Sequence, residues 1–311
     1  MSNANPSRLG QADLAGDVKS LFLKVFTGEV MTTFAETNVV LPYVRQRTIA
    51  SGKSASFAIV GKAQAAYHTP GTEIVGKNIA ANEVVITIDD LLIADTFISN
   101  IDEAMNHYDV RSIYSTELGR VLANTLDKHL LQLGVLAARS GARITGETGG
   151  TSITAAGSTS DQLIDALFDA AQVFDEKDVA MDDRVAFMRP AQYYALAQNT
   201  KILNKDWGGA GAYADGTALR VAGIELVKTN HLPSAVVADG SLNAGTGNKY
   251  AGDFTGVQAL VMQKGAIGTV KLMDLAMESE YDMRRQGNLM LAKYAMGHGV
   301  LAPQAAIEIK I

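Results

Sequence analysis

The stretch LAKYAMGHGVLAPQAA, residues 291–306, contains the side-chain types of a catalytic loop. Lys293, Tyr294 and His298 could act as general acid, general base or nucleophile. A catalytic histidine usually needs an orienting carboxylate or a nucleophile as its partner, and no residue close in sequence supplies one. Lys293 and Tyr294 would also point to opposite faces of a strand. We therefore predict a structural strand that is followed by a turn at residues 297–299.

Two other stretches have part of a nucleotide-binding motif. SGKS at residues 51–54 would need a glycine at position 47 to form a phosphate-binding loop, and Arg47 stands there. Gly245 and Gly247 begin a dinucleotide-binding pattern, but Tyr250 occupies the place of its third glycine. The sequence has no G-x-S-x-G nucleophile motif either. We interpret SGKS as the start of a hairpin and predict no cofactor-binding residues and no cofactor.

The spacing of the histidines and of the acidic pairs predicts neither a metal site nor an acid-base catalytic site. None of the five histidines has a second histidine three to five residues away, and cysteine is absent, so the usual zinc sites are not predicted. The histidines are His68, His107, His129, His231 and His298. We expect a surface or capping role for His107, a core or interface position for His129, and solvated strand ends for Asp89 and Asp90. No catalytic or metal-ligating residue is therefore predicted, and the chain is not expected to be an enzyme.

Composition and charge narrow the classes of protein further. The chain has 311 residues, 47% of them hydrophobic, and a formal net charge of −6. Residues 1–62 hold seven Lys/Arg against four Asp/Glu, whereas residues 102–183 hold six against fourteen. This distribution, with a single Trp, is unlike the dense basic face of a nucleic-acid binder. No signal peptide and no apolar run long enough to span a membrane are visible in the sequence.

The N-terminal part of the sequence predicts a helical arm segment and then a long hairpin. Leu21, Val25, Val30 and Phe34 recur at roughly helical spacing. Residues 53–60 and 83–89 alternate as strands do and are expected to pair. The segment between them, residues 61–82, is much longer than an ordinary hairpin loop and has almost no hydrophobic face. We expect it to project and to dock elsewhere.

A helix of about forty residues follows, over residues 101–139. Asn100 and Glu103 fit a capping box, and Ser140-Gly141 fits a helix end. Such a helix would be about 55–60 Å long, as long as the roughly 50 Å globule expected for this chain, so neighbouring subunits are expected to cover part of it. Its apolar stripe is Met105, Val110, Tyr114, Leu118, Val121, Leu122, Leu126, Leu130 and Leu133.

Residues 160–263 have the pattern of a compact α+β lobe. Thr159 and Gln162 fit a second capping box, before a helix with Leu163, Leu167, Ala170 and Phe174 inward. A strand RVAFM, a short helix that begins at Pro190, and strands at RVAGIELVKT and GVQALVMQ are predicted next. Exposed glycine-rich loops are expected at WGGAGAYADG and DGSLNAGTGNKYAGD. The C-terminal segment is predicted to form strands around a QGN turn, in a sheet that packs against the long helix.

Five stretches of the sequence resemble the major capsid proteins of short-tailed bacteriophages, which share the Hong Kong 97-type fold. Besides residues 291–306 they are LFLKVFTGEVMTTFAETNV (21–39), SGKSASFAIVGKAQAAYHTPG (51–71), VVITIDDLLIADTFISNIDEAMNHYDVRSIYSTELG (84–119) and AIGTVKLMDLAME (266–278). They lie at both ends of the chain and in the family's order, and the middle lobe is similar in pattern only. The resemblance implies a Hong Kong 97-like α+β fold in which residues 1–49 are an N-terminal arm and residues 50–92 an extended β-hairpin loop. It further implies a peripheral domain at 93–159, with a spine helix at 101–139, and at 264–311, and an axial domain at 160–263.

The same resemblance implies a structural function. Copies of the chain would form hexamers and pentamers that close into an icosahedral shell around double-stranded DNA, without sequence-specific binding. A scaffolding protein and a portal protein would be partners, no membrane would be involved, and the virion capsid would be assembled in the cytoplasm of the bacterial host. Without cysteine, covalent reinforcement could come only from a lysine-to-asparagine isopeptide bond like that of the type phage. Lys62 or Lys77 with Asn288 are the candidates, although no catalytic glutamate context is recognisable.

Two other functions compete with the phage capsid. An encapsulin-like nanocompartment would have the same fold but would enclose an enzyme, so the contents of purified particles would distinguish it from a phage head. A soluble α+β enzyme that uses the loops of the 160–263 lobe is the alternative from a different class. That enzyme would run as a monomer on a sizing column, whereas a shell protein would assemble.

Overall fold

The computed structural model describes residues 39–105, 110–155, 159–199, 220–238 and 249–311. The predictions for the arm up to residue 38, for His107 and for the glycine-rich loop at 207–216 lie outside these residues.

The chain divides into two compact units. The described residues of the first unit come from Asp90–Leu126 and Met273–Met296. Those of the second unit come from Val39–Asp89, Asp127–Leu272 and Gly297–Ile311.

Helices and strands are mixed along the described chain, which confirms the α+β class. The helices are α1 (Asn100–Met105), α2 (Val110–Ala138), α3 (Ser160–Glu176) and α4 (Pro190–Ala197). The strands are β1 (Arg45–Thr48), β2 (Ser54–Val60), β3 (Ala81–Thr87), β4 (Leu92–Ser99), β5 (Thr151–Thr154), β6 (Arg184–Met188), β7 (Arg220–Val221), β8 (Ile224–Lys228), β9 (Val236–Val237), β10 (Gly252–Asp253), β11 (Val257–Gln263), β12 (Ile267–Asp282), β13 (Gly287–Val300) and β14 (Ala306–Lys310).

The predicted hairpin is formed by β2 and β3. The two strands pair antiparallel from Ser54 opposite Thr87 to Val60 opposite Ala81. Alternate side chains are buried because a sheet that packs on one face buries every second residue. The buried side chains of the hairpin form a small core with residues of the second unit's body: Ala55, Phe57, Val84, Ile86, Val270 and Leu301.

A six-stranded mixed sheet makes the main core of the second unit, in the order β5-β14-β11-β6-β8-β7. Its central strand β6 is buried along its whole length, as expected of a strand covered on both faces. The lobe predicted for residues 160–263 takes two of these strands from outside that range, since β5 pairs parallel with β14 and β14 pairs with β11.

The stretch RVAGIELVKT was predicted to be in strand conformation, and it contains two strands. It forms β7 and β8, which pair antiparallel around Ala222 and Gly223. Both of these residues have positive φ, 50° and 78°, which are the backbone angles of a tight hairpin turn.

Helix α3 packs on the six-stranded sheet with the predicted inward face. Leu163, Leu167, Ala170 and Phe174 are buried in the same core as β6 and β11. Thr159 occupies the N-cap position as predicted. Its hydroxyl donates to the Gln162 side chain at 2.7 Å and makes no bond to the backbone, so the predicted capping box is only partly formed.

The range predicted for the long helix holds α1 and α2, and the connection at 106–109 lies outside the described residues. The predicted Asn100 cap is wrong, because Ser99 caps α1 instead. Its hydroxyl accepts from the Asp102 backbone N–H at 3.2 Å and donates to the Asp102 carboxylate at 2.6 Å. In α2 the stripe residues Leu122, Leu126, Leu130 and Leu133 are buried as predicted, whereas Val121 is 45% exposed.

The first unit contains the pairing of β13 with β4, from Gly287 opposite Ser99 to Tyr294 opposite Leu92. In the second unit, β1 pairs parallel with the first part of β12, from Arg45 opposite Gly268 to Thr48 opposite Lys271. The predicted QGN turn is displaced, because residues 283–286 form the turn and Gly287 already begins β13. The turn predicted at 297–299 is also wrong, since β13 continues through these residues to Val300.

No helix in the described part of the chain is both long enough and apolar enough to cross a membrane.

Candidate functional site

The tip of the hairpin, residues 61–80, is the most distinctive surface of the second unit. It contains no helix or strand, and nearly all of its residues are exposed. Exposed large apolar side chains are concentrated there: Tyr67 is 106% exposed and Ile74 and Val75 are each 79% exposed. Apolar groups in water cost free energy that a covering surface would recover. The tip therefore has the composition of an interaction surface.

Where the tip joins β2 and β3, in contrast, side chains of Lys62 and Asn82 are bonded to the body of the second unit. The Asn82 side-chain amide donates to the Arg143 carbonyl oxygen at 2.6 Å. The Lys62 ammonium forms an ion pair with Asp178 at 2.5 Å. Both side chains of that pair are more than half exposed, so water screens the interaction and it adds little to stability.

A polar network lies where the hairpin rejoins the body. The Tyr250 hydroxyl donates to the Asp89 carboxylate at 2.7 Å, and the Lys249 ammonium forms an ion pair with the same carboxylate. The Asp89 side chain is only 12% exposed. The prediction that Asp89 is a solvated strand end is therefore wrong, because a hydroxyl and an ammonium group satisfy a largely buried carboxylate.

Two buried histidines belong to the same network. The His129 ring stacks on the Tyr250 ring, and the His298 Nδ1 lies 2.9 Å from the Thr269 hydroxyl oxygen. Burial, helped by the positive charges of Lys249 and Lys128, lowers the pKa of His129 to about 4. Burial, with Lys249 and His129, lowers the pKa of His298 to about 3. Both rings are therefore neutral at pH 7, and His129 lies in the core, which is one of the two positions predicted for it.

The Gly297-His298-Gly299 stretch is shaped by contact with the hairpin. A Cβ atom on Gly297 would lie 2.2 Å from the Thr87 carbonyl oxygen. A Cβ on Gly299 would lie 2.7 Å from the Ile86 side chain. The absence of a side chain at these two glycines therefore allows β13 to approach β3 closely.

The other residues that the sequence singled out have ordinary surroundings. Lys293 forms an ion pair with Glu278 at 2.6 Å, and Tyr294 is buried. SGKS is an exposed segment that leads into β2, as the sequence predicted. His68 is exposed in the tip and His231 is half-buried. Among the described residues, no group of three or more His, Asp or Glu side chains is arranged to hold a metal ion.

The candidates for a cross-link are placed as follows. Lys62 is paired with Asp178, and Lys77 is exposed in the hairpin tip. The Asn288 side-chain amide donates to the Glu103 carboxylate at 3.2 Å within the first unit. The cross-link itself stays a prediction.

Sequence reasoning missed two charged anchors of the second unit. Asp127 of α2 accepts from the Val39 N–H at 2.8 Å and from the Val40 N–H at 3.3 Å. Glu308 of β14 is fully buried and accepts two hydrogen bonds from the Arg139 guanidinium. The bonded partners are far apart in sequence, so local spacing gave no signal for either anchor.

An extended hairpin, a long helix and a six-stranded mixed sheet are the features of a viral shell subunit of the Hong Kong 97 type. Solved structures agree with this class. The chain matches the capsid structure of the cyanophage P-SCSP1u with a TM-score of 0.84 and 43% identity, over 99% of each chain. It matches the mature capsid of bacteriophage PhiM1 with a TM-score of 0.77 and 19% identity, over 97% of this chain and 96% of that chain, which supports the fold alone.

Sequence comparison identifies the family. The profile of the Gp10A-like major capsid proteins matches residues 56–310. The chain is 38% identical over 319 residues to the major capsid protein of Escherichia phage T7, covering 94% of this chain and 92% of that protein. It is 36% identical over 323 residues to the major capsid protein of Enterobacteria phage T3, covering 96% and 93%. The chain therefore belongs to the Gp10A-like family of major capsid proteins, which form the icosahedral head shell of tailed phages. Of the two shell functions considered, this membership favours the phage capsid.

Proposed function

We propose that copies of this chain assemble as hexamers and pentamers of the icosahedral head shell, with the hairpin tip of each copy lying on a neighbouring copy. The observation that carries the proposal is the exposure of Tyr67, Ile74 and Val75 on the hairpin tip, which contains no helix or strand. A neighbour that covers these side chains would recover roughly 25 cal/mol per Å² of apolar surface. One such contact is modest, but closure multiplies it because each subunit is held by several neighbours.

The segments of the chain take the following roles in this proposal. Residues 1–49 are an N-terminal arm and residues 50–92 are the extended loop. Residues 93–159 and 264–311 form a peripheral domain, and residues 160–263 form an axial domain. The pairing of β2 with β3 supports the extended loop, and the shared core of α3, β6, β8 and β11 supports the axial domain.

The chain acts by association rather than catalysis in this proposal. Its partners are a scaffolding protein and a portal protein, and assembly takes place in the cytoplasm of the bacterial host. The shell encloses double-stranded DNA without reading its sequence. The net charge of −6 supports this role, since carboxylates repel phosphate and a container should not hold its contents tightly.

Exchange of residues 61–80 for Asn-Gly tests the role of the tip. Val60 and Ala81 are already opposite each other, and Asn-Gly is the preferred two-residue connection between such strands. We expect this variant to keep the urea unfolding midpoint of the natural chain and to form no closed shells in electron micrographs, with or without a scaffolding protein. Closed shells of normal size would contradict the proposal.

A second pair of variants separates the length of the tip from its apolar character. The triple substitution Tyr67→Ser, Ile74→Ser and Val75→Ser keeps the length and removes the large apolar groups. Its matched control changes the small residues Ala63, Ala65 and Ala66 to Ser in the same segment. We expect the first variant to lose assembly and the control to keep it; equal assembly by both would show that the apolar side chains are not the contact.

A further inference from the structure

Strand β1 has an unpaired edge in the second unit. Its other edge pairs with β12, and just after the strand the Ile49 N–H donates to the Lys271 carbonyl oxygen at 2.9 Å. The backbone groups of successive strand residues point to opposite edges, so those of Arg47 also point to β12, whereas those of Gln46 and Thr48 point away from it. The backbone groups of Gln46 and Thr48 have no hydrogen-bond partner in the described part of the chain, and both residues are exposed. This free edge can therefore accept hydrogen bonds from an added strand.

Two arginines restrict which strand can pair there. Arg45 and Arg47 lie on one face of β1, with their guanidinium groups 6.0 and 5.8 Å from the centre of the Phe57 ring. Arg47 also donates to the Ser56 carbonyl oxygen at 2.8 Å, whereas Arg45 has no hydrogen-bond or ion-pair partner among the described residues. Charged side chains on a short edge strand discourage indiscriminate pairing. We expect the edge to reject a basic strand and to favour one with a carboxylate on the arginine face.

The hairpin tip contains a segment of matching character at residues 73–76. Glu73 is the one acidic residue of the tip, and it forms no ion pair with another described residue. Ile74 and Val75 follow it; both are β-branched, which favours a strand, and both are 79% exposed. The backbone groups of this segment make no hydrogen bond within the described chain. A Cβ on Gly76 would have no atom within 4 Å, so the segment is open to another chain.

We propose that residues 73–76 of one copy add as a strand to the free edge of β1 in a neighbouring copy. The backbone groups of the two segments then satisfy each other, and Glu73 lies on the arginine face. Ile74 lies on the opposite face, which is also the face of Thr48, because side chains alternate along a strand. The tip and the edge are different surfaces, so the contact is head-to-tail, as a closed ring of identical subunits requires. This inference rests on the proposed function, since it names the surface that receives the tip.

Disulfide cross-linking of assembled shells tests the pairing, and the natural chain has no cysteine that could confuse the result. The variant carries Thr48→Cys and Ile74→Cys, is assembled under reducing conditions and is then oxidised. Residues opposite each other on adjacent strands are within disulfide reach. A second variant, with Gln46→Cys in place of Thr48→Cys, covers the other register on the same face.

We expect one of these two variants to give covalent oligomers larger than dimers on non-reducing gels. Each chain would be bonded to one neighbour through the β1 cysteine and to another through the tip cysteine, whereas a chain with a single cysteine can form dimers at most. The matched control combines Ile74→Cys with Arg220→Cys on β7, the last strand of the six-stranded sheet, and should give no such oligomers.

Three results overturn the inference: neither β1 variant gives oligomers larger than dimers, the bond forms within one chain, or the control cross-links as efficiently. If it is overturned while exchange of residues 61–80 for Asn-Gly still abolishes closed shells, the tip contacts a neighbour at another surface and the proposed function stands. Closed shells after that exchange would overturn the proposed function itself.

Proline at two adjacent positions of β1 tests the free edge directly. Thr48→Pro removes an N–H that points away from β12, and an edge strand tolerates proline at such a position. We expect this variant to keep the urea unfolding midpoint and to lose closed shells in electron micrographs, whereas Thr48→Ala, which keeps the N–H, should form them. Arg47→Pro removes an N–H that points to β12 and should lower the midpoint. Normal shells from Thr48→Pro, or equal loss of shells with Thr48→Ala, would contradict strand addition at this edge.

Discussion

The imidazole ring of His129 stacks on the phenol ring of Tyr250, with the centroids 4.3 Å apart and the planes 3° from parallel. The Tyr250 hydroxyl in turn donates to Asp89, two residues after the end of β3. A residue of α2 is thereby connected through one tyrosine to the base of the hairpin. His129 is buried, so the interior accommodates the neutral ring far better than the charged one.

This burial predicts a loss of stability in mild acid. The pKa of His129 is lowered from 6.5 to about 4 in the folded chain, whereas the unfolded chain takes up the proton near pH 6.5. Between these values the unfolded state binds more protons, so the free energy of unfolding falls as the pH is lowered. The expected loss from this group is about 3 kcal/mol. Urea unfolding of the full-length chain at pH 7 and at about pH 4.5 would measure most of it.

A variant that keeps the stack isolates the contribution of His129. His129→Phe retains an aromatic ring against Tyr250 but cannot be protonated, so its stability should depend less on pH. A remaining slope is expected from His298, whose pKa is lowered to about 3. His68→Phe, in the exposed tip, is the control and should keep the full dependence. Equal pH dependence of the natural chain and His129→Phe would contradict this explanation.

The elements that the sequence predicted best are those with regular hydrophobic spacing. The alternation at 53–60 and 83–89 predicted β2 and β3 because one face of the hairpin is buried. The inward face of α3 was predicted because its apolar residues recur at helical spacing along one side. In both cases the buried face of the element is visible in a short stretch of sequence, because its apolar residues recur at regular spacing.

The network at the hairpin base could not be predicted, because its members are remote in sequence. Asp89 and Tyr250 are 161 positions apart, and no local pattern relates them.

The turn predicted at residues 297–299 was wrong for a different reason. Two glycines around a histidine are typical of a turn, but here the space left by the absent Cβ atoms is filled by β3. Only the tertiary contact distinguishes these two uses of glycine.

Helix α2 offers a test of the apolar stripe at two adjacent positions. Leu122 is 2% exposed, whereas Val121 is 45% exposed, because neighbouring residues on a helix differ by about 100° in direction. Leu122→Asp places a carboxylate in the core and should give insoluble protein. Val121→Asp has the same new charge at a position open to water, and should give soluble protein. The fraction of each variant in the supernatant after lysis is the measurement. Equal solubility of the two variants would show that the buried face is misassigned.

The pair formed by Arg139 and Glu308 predicts an asymmetry between its two partners. Glu308 is fully buried, while the Arg139 side chain is 31% exposed. Arg139→Met leaves a buried carboxylate with only the Ser152 hydroxyl, at 3.2 Å, as a donor among the described residues, and should cost about 3–5 kcal/mol. Glu308→Gln removes the buried charge and keeps an amide that can accept from Arg139, so it should cost less. Urea unfolding midpoints of the two variants test this order, and a reversed order would contradict it.

Substitution of the β13 glycines by alanine should destabilise the chain to different extents, because different atoms lie next to each new Cβ. A Cβ on Gly297 would meet the Thr87 carbonyl oxygen at 2.2 Å and the Ile88 Cα at 2.8 Å, and backbone atoms cannot easily withdraw. Gly297→Ala should therefore destabilise the chain by about 1–3 kcal/mol or more. The three atoms nearest to a Cβ on Gly299 all belong to the Ile86 side chain, so Gly299→Ala should cost less, because a side chain can rotate away. Gly76→Ala has no atom within 4 Å of the new Cβ and is the control, expected to be neutral. Thermal unfolding of the three variants gives the order, and a Gly297→Ala variant as stable as Gly76→Ala would show that β13 and β3 are not held at this distance.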